Sequence, residues 1–168
     1  ITPYSIRMEM SLSSGMIKNV KTERSAYMRE ILFGAKRTNW RELPKEKWWV
    51  EGLPQKMWGE WHIINPADEN TAYPIDPDTL CQYIGFKDKN GNKIKENDIV
   101  KCNKRKDGFE LYKVLWRNYY ADFGVEPLEF GVQYPISMDE NGQDIKGCDY
   151  EIVGNIFDNP ELLKREQE

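Results

Sequence analysis

Histidine and serine are scarce in this sequence of 168 residues. His62 is the only histidine, and Ser137 is the only serine after residue 25. A Ser-His-acid triad needs a nucleophile, a base and an orienting acid in one site, and Ser137 lies in no nucleophile elbow. The sequence also lacks a P-loop and a GxGxxG segment, the glycine-rich turns that cradle phosphates. We therefore predict no catalytic residues, no cofactor and a protein that is not an enzyme.

Cysteine is also sparse, and its spacing is irregular. Cys81, Cys102 and Cys148 form an odd and widely separated set. Together with His62 they supply the four ligands of a tetrahedral zinc site, but the short paired spacing of such sites is missing. We interpret the cysteines as small apolar residues of the core and predict no metal site. An odd number of cysteines also fits a reducing compartment.

Long apolar runs are missing too. No stretch approaches the roughly 18 apolar residues of a membrane-spanning helix, and none has the three sections of a signal peptide. We therefore expect a cytoplasmic protein with no membrane partner. Aromatic residues, by contrast, make up 12% of the chain and include six tryptophans. That is enough bulky material for a packed core, which argues against a disordered chain.

The first 27 residues differ from the rest in composition. They hold five of the six serines and half of the methionines. The segment that opens with Met28 reads like a natural start. We expect residues 1–27 to be an N-terminal extension or an added segment, helical or disordered, and residues 28–168 to form one domain.

Short runs of β-branched and aromatic residues alternate with turn signals after Met28, a pattern that predicts a mainly β fold of antiparallel strands. Asn90-Gly91 marks the clearest hairpin turn, since this dipeptide adopts the left-handed backbone that such turns need. Asp76 and Asn159 each precede a proline and are predicted helix caps, the second for a short C-terminal helix over 161–165. The predicted strands are 29–37, 47–53, 58–64, 71–75, 98–103, 110–117, 128–134 and 150–157.

Five segments, in this order, resemble the YopX family of phage and prophage proteins. The resemblance implies a β-rich, SH3-like small barrel and a phage or prophage origin. It implies no activity, so no catalytic residue is carried over from it. The segments are Met28–Phe33, Trp49–Gly52, Gln82–Gly91, Glu96–Lys101 and Glu151–Leu163.

One departure from the family pattern is informative. The family usually has glycine before the aspartate of its Gly-Asp-Ile-Val motif, and Asn97 stands there in this sequence. Asparagine is the residue that best replaces glycine where φ is positive. We therefore predict a left-handed turn at Asn97, with the Asp98 side chain accepting hydrogen bonds from the turn backbone.

Tryptophan is concentrated between residues 40 and 61, where five of the six lie. Trp48 and Trp49 are adjacent, so in a strand they point to opposite faces, and Trp58 and Trp61 also differ in parity. At least one tryptophan should therefore be exposed or lie in an interface. Cross-strand packing with a subunit contact is one explanation, which predicts self-association. Ligand binding is the other, and these four residues are candidate binding residues.

Charge is distributed unevenly along the chain. Lys101, Lys104, Arg105 and Lys106 place four positive charges within six residues, while residues 121–168 contain 12 acidic and three basic residues. The first feature favours contacts with a nucleic-acid backbone, although lysines on an edge strand also block unwanted pairing. A sequence pI near 5.3 argues against a dedicated nucleic-acid binder.

The sequence thus predicts a phage- or prophage-encoded binding module without catalytic activity, whose partner it does not identify. Two alternatives stay open. One is a nucleic-acid-binding accessory protein that uses residues 101–106. The other is a protein that engages a host factor through the acidic region 121–168.

Overall fold

A computed structural model describes residues 29–65, 67, 71–139 and 141–163. The predicted N-terminal segment 1–27 and the end of the predicted terminal helix lie outside these residues. Within the described part, the chain forms eleven strands and five short 3₁₀ turns. The mainly β prediction is confirmed.

The strands pair into two antiparallel sheets, of six strands in the order β4-β3-β2-β1-β5-β6 and of five in the order β10-β9-β8-β7-β11. Their bounds are β1 Phe33–Lys36, β2 Trp49–Met57, β3 Glu60–Ile64, β4 Ala72–Pro74, β5 Cys81–Lys87, β6 Lys93–Lys95, β7 Asp98–Cys102, β8 Leu111–Arg117, β9 Asp122–Pro127, β10 Tyr134–Pro135 and β11 Tyr150–Asn155. The 3₁₀ turns are Trp40–Glu42, Lys45–Lys47, Pro77–Thr79, Gly147–Asp149 and Pro160–Leu163.

The two sheets do not close into the predicted barrel. The chain leaves one sheet and enters the other within one residue, since the Glu96 N–H donates to Gln82 O (3.0 Å) and the Asn97 N–H donates to Val114 O (2.8 Å). Asn97 has a φ of 66°, the left-handed conformation predicted from its place in the family motif. This sharp turn separates β6 from β7. The two strands therefore belong to different sheets, and each sheet keeps its own edge strands.

The predicted strand 128–134 is wrong. Strand β9 instead covers the preceding residues, which sequence reasoning passed over because they contain Gly124 and Pro127. Gly124 is required here: a Cβ would lie 2.4 Å from Cδ of Arg117 and 2.5 Å from the carbonyl oxygen of Tyr134. The Arg117 side chain crosses this glycine to reach Asp122, to which it donates two hydrogen bonds of 2.7 and 2.5 Å.

The main hydrophobic core joins the two sheets. Ile84 and Ile94 of the β5–β6 hairpin pack on the five-stranded sheet. Tyr112 and Tyr150 of that sheet are the largest wholly buried side chains of this core. A second, smaller core belongs to the six-stranded sheet and contains Ala35, Ile63 and Ile75. Because the main core takes residues from both sheets, its burial stabilises them as one unit.

Asp88 fastens the β5–β6 hairpin to the edge of β11. The side chain is 3% exposed, and its Oδ1 accepts hydrogen bonds from the backbone N–H groups of Asn90 (2.9 Å) and Asn92 (2.8 Å). Its Oδ2 accepts from the N–H of Ile152 in β11 (3.2 Å). Within the predicted turn, Gly91 has a φ of 85°. One carboxylate thus closes the turn and satisfies an N–H on a sheet edge.

The pKa of Asp88 reflects these contacts. Burial alone would raise the pKa, but the hydrogen bonds from Asn92, Ile152 and Asn90 outweigh it and hold the pKa below its ordinary 3.8. A carboxyl group with a lowered pKa in the folded state adds stability above its unfolded pKa. That contribution is lost as the pH falls through the lowered value.

We predict that Asp88→Ala lowers the free energy of unfolding by about 2–4 kcal/mol at pH 7, because it leaves buried N–H groups without an acceptor. The difference from wild type should shrink below about pH 4, as the wild-type carboxylate is protonated. Urea unfolding at pH 7 and pH 3 measures both effects.

Asp139 offers a matched control. Its Oδ1 accepts from the N–H groups of Asn141 (2.9 Å) and Gln143 (2.7 Å), the same turn chemistry with no bond to a second sheet in the described residues. Asp139→Ala should cost about 1 kcal/mol or less. Equal losses for the two variants would contradict the role given to Asp88.

Candidate functional site

Three tryptophans surround a buried lysine of β1. The Nζ atom of Lys36 lies 4.2 Å from the ring centre of Trp40, 5.1 Å from that of Trp48 and 5.8 Å from that of Trp49. The Oδ1 atom of Asp158 is 2.5 Å from the same Nζ. An ammonium over indole faces gains cation–π energy that grows when water is excluded. The aromatic cage is therefore filled by the protein's own cation.

Asp158 completes this cage from the segment after β11. Its Oδ2 accepts hydrogen bonds from Nε1 of Trp49 (2.7 Å) and Nδ2 of Asn155 (3.0 Å). Burial alone would raise the pKa of Asp158, but Lys36, Asn155 and Trp49 together hold it below its ordinary value. Trp48 donates its Nε1–H to the Leu43 carbonyl (2.9 Å). Internal contacts thus account for Trp48 and Trp49, two of the four candidate tryptophans.

Trp58 and Trp61 lie on the β2–β3 hairpin and are exposed. Trp58 is 90% exposed and Trp61 38%. Trp58 and Gly59 connect the paired residues Met57 and Glu60, and their φ values are 50° and 90°. Two residues with positive φ form the type I′ turn that joins antiparallel strands most tightly. The expectation of at least one exposed tryptophan is confirmed at this turn.

Arg105 is a core residue, which corrects its assignment to an exposed basic patch. It is 4% exposed, and its Nη2 donates to the carbonyl oxygens of Pro135 (2.7 Å) and Met138 (2.7 Å). Its guanidinium lies over the rings of Tyr112 and Tyr134. The planar group ties the loop after β7 to the loop around β10, and sequence alone does not distinguish such an arginine from a surface one.

The three lysines near Arg105 all have local partners. Lys101 pairs with Glu110 (3.2 Å), and Lys104 pairs with Asp149 (3.0 Å). Lys106 donates to the carbonyl oxygen of Asn103 (3.0 Å). Residues 101–106 therefore do not form the continuous cationic surface that their spacing favoured.

Two predicted caps have different outcomes. Asp76 caps the 3₁₀ turn that begins at Pro77, since its Oδ1 accepts from the Asp78 N–H (3.1 Å). The side chain of Asn159 instead accepts from the N–H of Asn155 (3.3 Å), so it supports the end of β11. The turn that follows Asn159 is a single 3₁₀ turn in the described residues.

A cavity of about 220 Å³ lies where the two sheets meet. Strands β1, β2, β5 and β6 supply one wall, and Asp98 with the residues around the end of β11 supplies the other. The Oδ2 atom of Asp98 accepts from the N–H of Lys95 (2.7 Å), the turn bond predicted from sequence. The lining residues are Gly34, Trp49, Glu51, Cys81, Lys95, Glu96, Asp98, Asn155 and Asp158.

Burial shifts two ionisable groups in this cavity. It raises the pKa of Asp98 to about 7, against the opposing hydrogen bond and charge of Lys95. It also raises the pKa of Cys81 to about 11, which keeps the thiol protonated near neutral pH. Perturbed groups that converge on a cavity are typical of binding sites. Sequence reasoning favoured a turn role for Asp98 over a catalytic one and did not find the cavity.

The chain is a two-sheet, all-antiparallel β protein, and comparison with known families agrees with the resemblance seen in its motifs. The sequence model described as YopX protein matches residues 40–164. The chain therefore belongs to the YopX family. A search of the curated proteins finds no match. In the described residues, no helix is long and apolar enough to cross a membrane, and no group of three His, Cys, Asp or Glu side chains is placed to hold a metal ion.

We predict that Asp158→Asn lowers the free energy of unfolding by about 3–5 kcal/mol, because it leaves the Lys36 charge buried without its anion. Lys36→Met removes the cation and leaves Asp158 its other two donors, so it should cost less. Unfolding in urea, followed by tryptophan fluorescence, measures each loss.

The double variant Lys36→Met/Asp158→Asn tests the coupling. Its loss should be smaller than the sum of the single losses by about 1–3 kcal/mol, since neither partner is left alone. Strictly additive losses would show that the pair does not act as a unit.

Proposed function

We propose that this chain is a phage- or prophage-encoded binding module that acts without catalysis in the cytoplasm of a bacterial host. It engages a protein partner through the tip of the β2–β3 hairpin, with Trp58 as the anchor. Family membership and the exposed tip support this proposal. The family itself points to no chemistry, so the argument rests on the physical cost of Trp58.

Trp58 is the observation that carries the proposal. Its side chain is almost wholly exposed, and its backbone has positive φ, which non-glycine residues adopt at a cost. Asparagine is the residue preferred before glycine in this turn. The indole of Trp58 approaches the His62 ring edge-on, at 6.1 Å between ring centres. A residue that costs energy in both solvation and conformation, with so little return from the fold, fits a binding anchor.

The surroundings of Trp58 favour a protein over a nucleic acid. Leu53 and Trp61 add exposed apolar surface along the same hairpin. Its charges are mixed, since Lys56 and Glu60 both lie next to the turn. A phosphate backbone is recognised mainly by concentrated positive charge. An aromatic tip with balanced charge is better suited to a pocket on a protein.

The proposed binding tip lies apart from the main core. The β5–β6 hairpin covers one face of the five-stranded sheet and encloses the main core with it. We infer that the β5–β6 hairpin and the five-stranded sheet together form the SH3-like unit implied by the family resemblance, in an open form. The β2–β3 hairpin lies outside this unit, so the fold supports the proposed binding tip without burying it.

Affinity capture from a bacterial host lysate tests the proposal with three baits of the full chain. Trp58→Asn removes the indole and puts the preferred residue into the turn, so its melting temperature should equal or exceed that of wild type. Tyr119→Asn is the matched control, because Tyr119 is 91% exposed on the β8–β9 hairpin. The lysate is treated with nuclease so that bridging nucleic acid is removed.

We expect a protein that wild type and Tyr119→Asn retain and that Trp58→Asn loses, with at least a tenfold change in the dissociation constant of the purified pair. If that protein is a second copy of this chain, the hairpin is a surface for self-association. If Trp58→Asn retains every protein that wild type does, the assignment to this hairpin is wrong. Loss with Tyr119→Asn alone would assign the binding surface to the β8–β9 hairpin instead.

A further inference from the structure

We propose that the cavity between the two sheets binds a guanidinium or primary ammonium group, either on a small molecule or on a basic side chain. The site does not depend on Trp58 or on the β2–β3 tip. It is built from the side chains that line the cavity.

The shape of the cavity depends on a glycine and a lysine. A Cβ at Gly34 would lie 3.2 Å from both Cδ and Cε of Lys95. Glycine at this position therefore lets the Lys95 stem lie close over β1, and its Nζ reaches Oε1 of Glu51 (2.6 Å). Trp49, from the neighbouring strand β2, also lines the cavity. Lys95 and Trp49 therefore both border the space that a ligand would occupy.

The charge of the lining is negative. Glu51, Glu96, Asp98 and Asp158 contribute four carboxyl groups, and Lys95 is the one lining cation among the described residues. The Asp158 carboxylate is committed to Lys36 and Trp49.

The other three acids keep acceptor capacity. One oxygen of each is engaged: Glu51 with Lys95 Nζ, Glu96 with the Gln82 N–H (3.1 Å) and Asp98 with the Lys95 N–H. In the described residues, the second oxygen of Glu51, of Glu96 and of Asp98 has no hydrogen-bond partner.

Size and donor geometry select an organic cation. The described acids do not converge closely enough to form a metal site. A cavity of about 220 Å³ is larger than the roughly 150 Å³ that holds a benzene molecule, so it has room for the seven heavy atoms of an arginine side chain. Guanidinium presents five N–H donors in a plane, which can reach acceptors on different walls, and it packs well against an indole. An ammonium group meets the same charge requirement with fewer donors.

Asp98 is the first residue of β7, directly after the turn at which the chain passes from one sheet to the other. Burial raises the pKa of its carboxyl group to about 7. Because the folded state binds this proton more tightly than the unfolded state, stability falls as the pH rises from about 4 to 7. The fold would therefore gain from an uncharged residue here. A bound cation would compensate the cost by lowering the pKa. The charged or titratable groups around Asp98 are Lys95, Glu51, Asp88, Glu96, Cys81 and Asp158.

Calorimetric titration of the full chain tests the site with two probes, methylguanidinium and the peptide Gly-Arg-Gly, at pH 6 and pH 8. Ionisation of Asp98 should make binding about tenfold tighter at pH 8. Asp98→Asn keeps an acceptor for the Lys95 N–H, so the turn persists. It should bind at least tenfold more weakly at pH 8 and lose the pH dependence. Asp78→Asn, the same chemical change at an exposed residue outside the cavity, should bind like wild type.

The outcomes separate the sources of the cation. Binding of both probes supports a site for free small cations, and binding of the peptide alone supports a basic side chain of a partner. Failure of wild type to bind either probe at millimolar concentration would overturn the proposal, as would unchanged binding by Asp98→Asn. Trp58→Asn should bind both probes like wild type. The proposal for the cavity and the proposal for the hairpin can therefore fail independently of each other.

Discussion

The buried carboxylate of Asp88 is the contact on which the arrangement of the two sheets depends. It accepts from its own turn and from Ile152, so the end of one sheet and the edge of the other share one acceptor. The neighbouring Lys89 N–H donates to Tyr150 O (2.9 Å), which adds a second backbone link beside it. Since an edge strand with unpaired N–H groups invites pairing with other chains, the same contact also protects β11.

Asp158 makes a second connection from the other end of β11. It reaches back to Lys36 of β1 and Trp49 of β2, and thus ties the C-terminal segment to the six-stranded sheet. The cavity with Asp98 lies at the same junction of the sheets. Asp88 and Asp158 have lowered pKa values, and their carboxylates stabilise the fold. Asp98, which lines the cavity, has a raised pKa, so its ionised form costs stability.

Sequence reasoning succeeded where the signal was local. The Asn90-Gly91 turn, the left-handed Asn97 and the Asp76 cap all depend on a few adjacent residues. The expectation of an exposed tryptophan is also met, but Trp58, the first residue of the predicted strand 58–64, lies in the β2–β3 turn. Sequence reasoning failed where distant residues decide the outcome. Residues 101–106 read as a cationic surface, but Arg105 is buried by tyrosines and carbonyl groups that come from other loops.

The same distinction explains the remaining differences. Strand β9 was missed because Gly124 looks unfavourable in a strand until Arg117 is seen to cross it. The barrel was expected from the family resemblance, and the sharp turn at Asn97 divides the strands into two sheets instead. The partners of Lys36 and Asp88 are far apart in sequence, so no spacing announces them. Asp88 does stand before an Asn-Gly turn, where aspartate is favoured, and that is the signal that could have found it.

Native-state hydrogen exchange at the Ile152 amide tests most directly whether Asp88 joins the two sheets. The account predicts that this amide is protected with nearly the same opening free energy as Val114 in the main core, because the joint opens only on global unfolding. In Asp88→Ala, the protection of Ile152 should fall well below that of Val114. Rapid exchange of Ile152 in the wild-type protein, while Val114 stays protected, would show that the sheets separate without unfolding and would contradict the account.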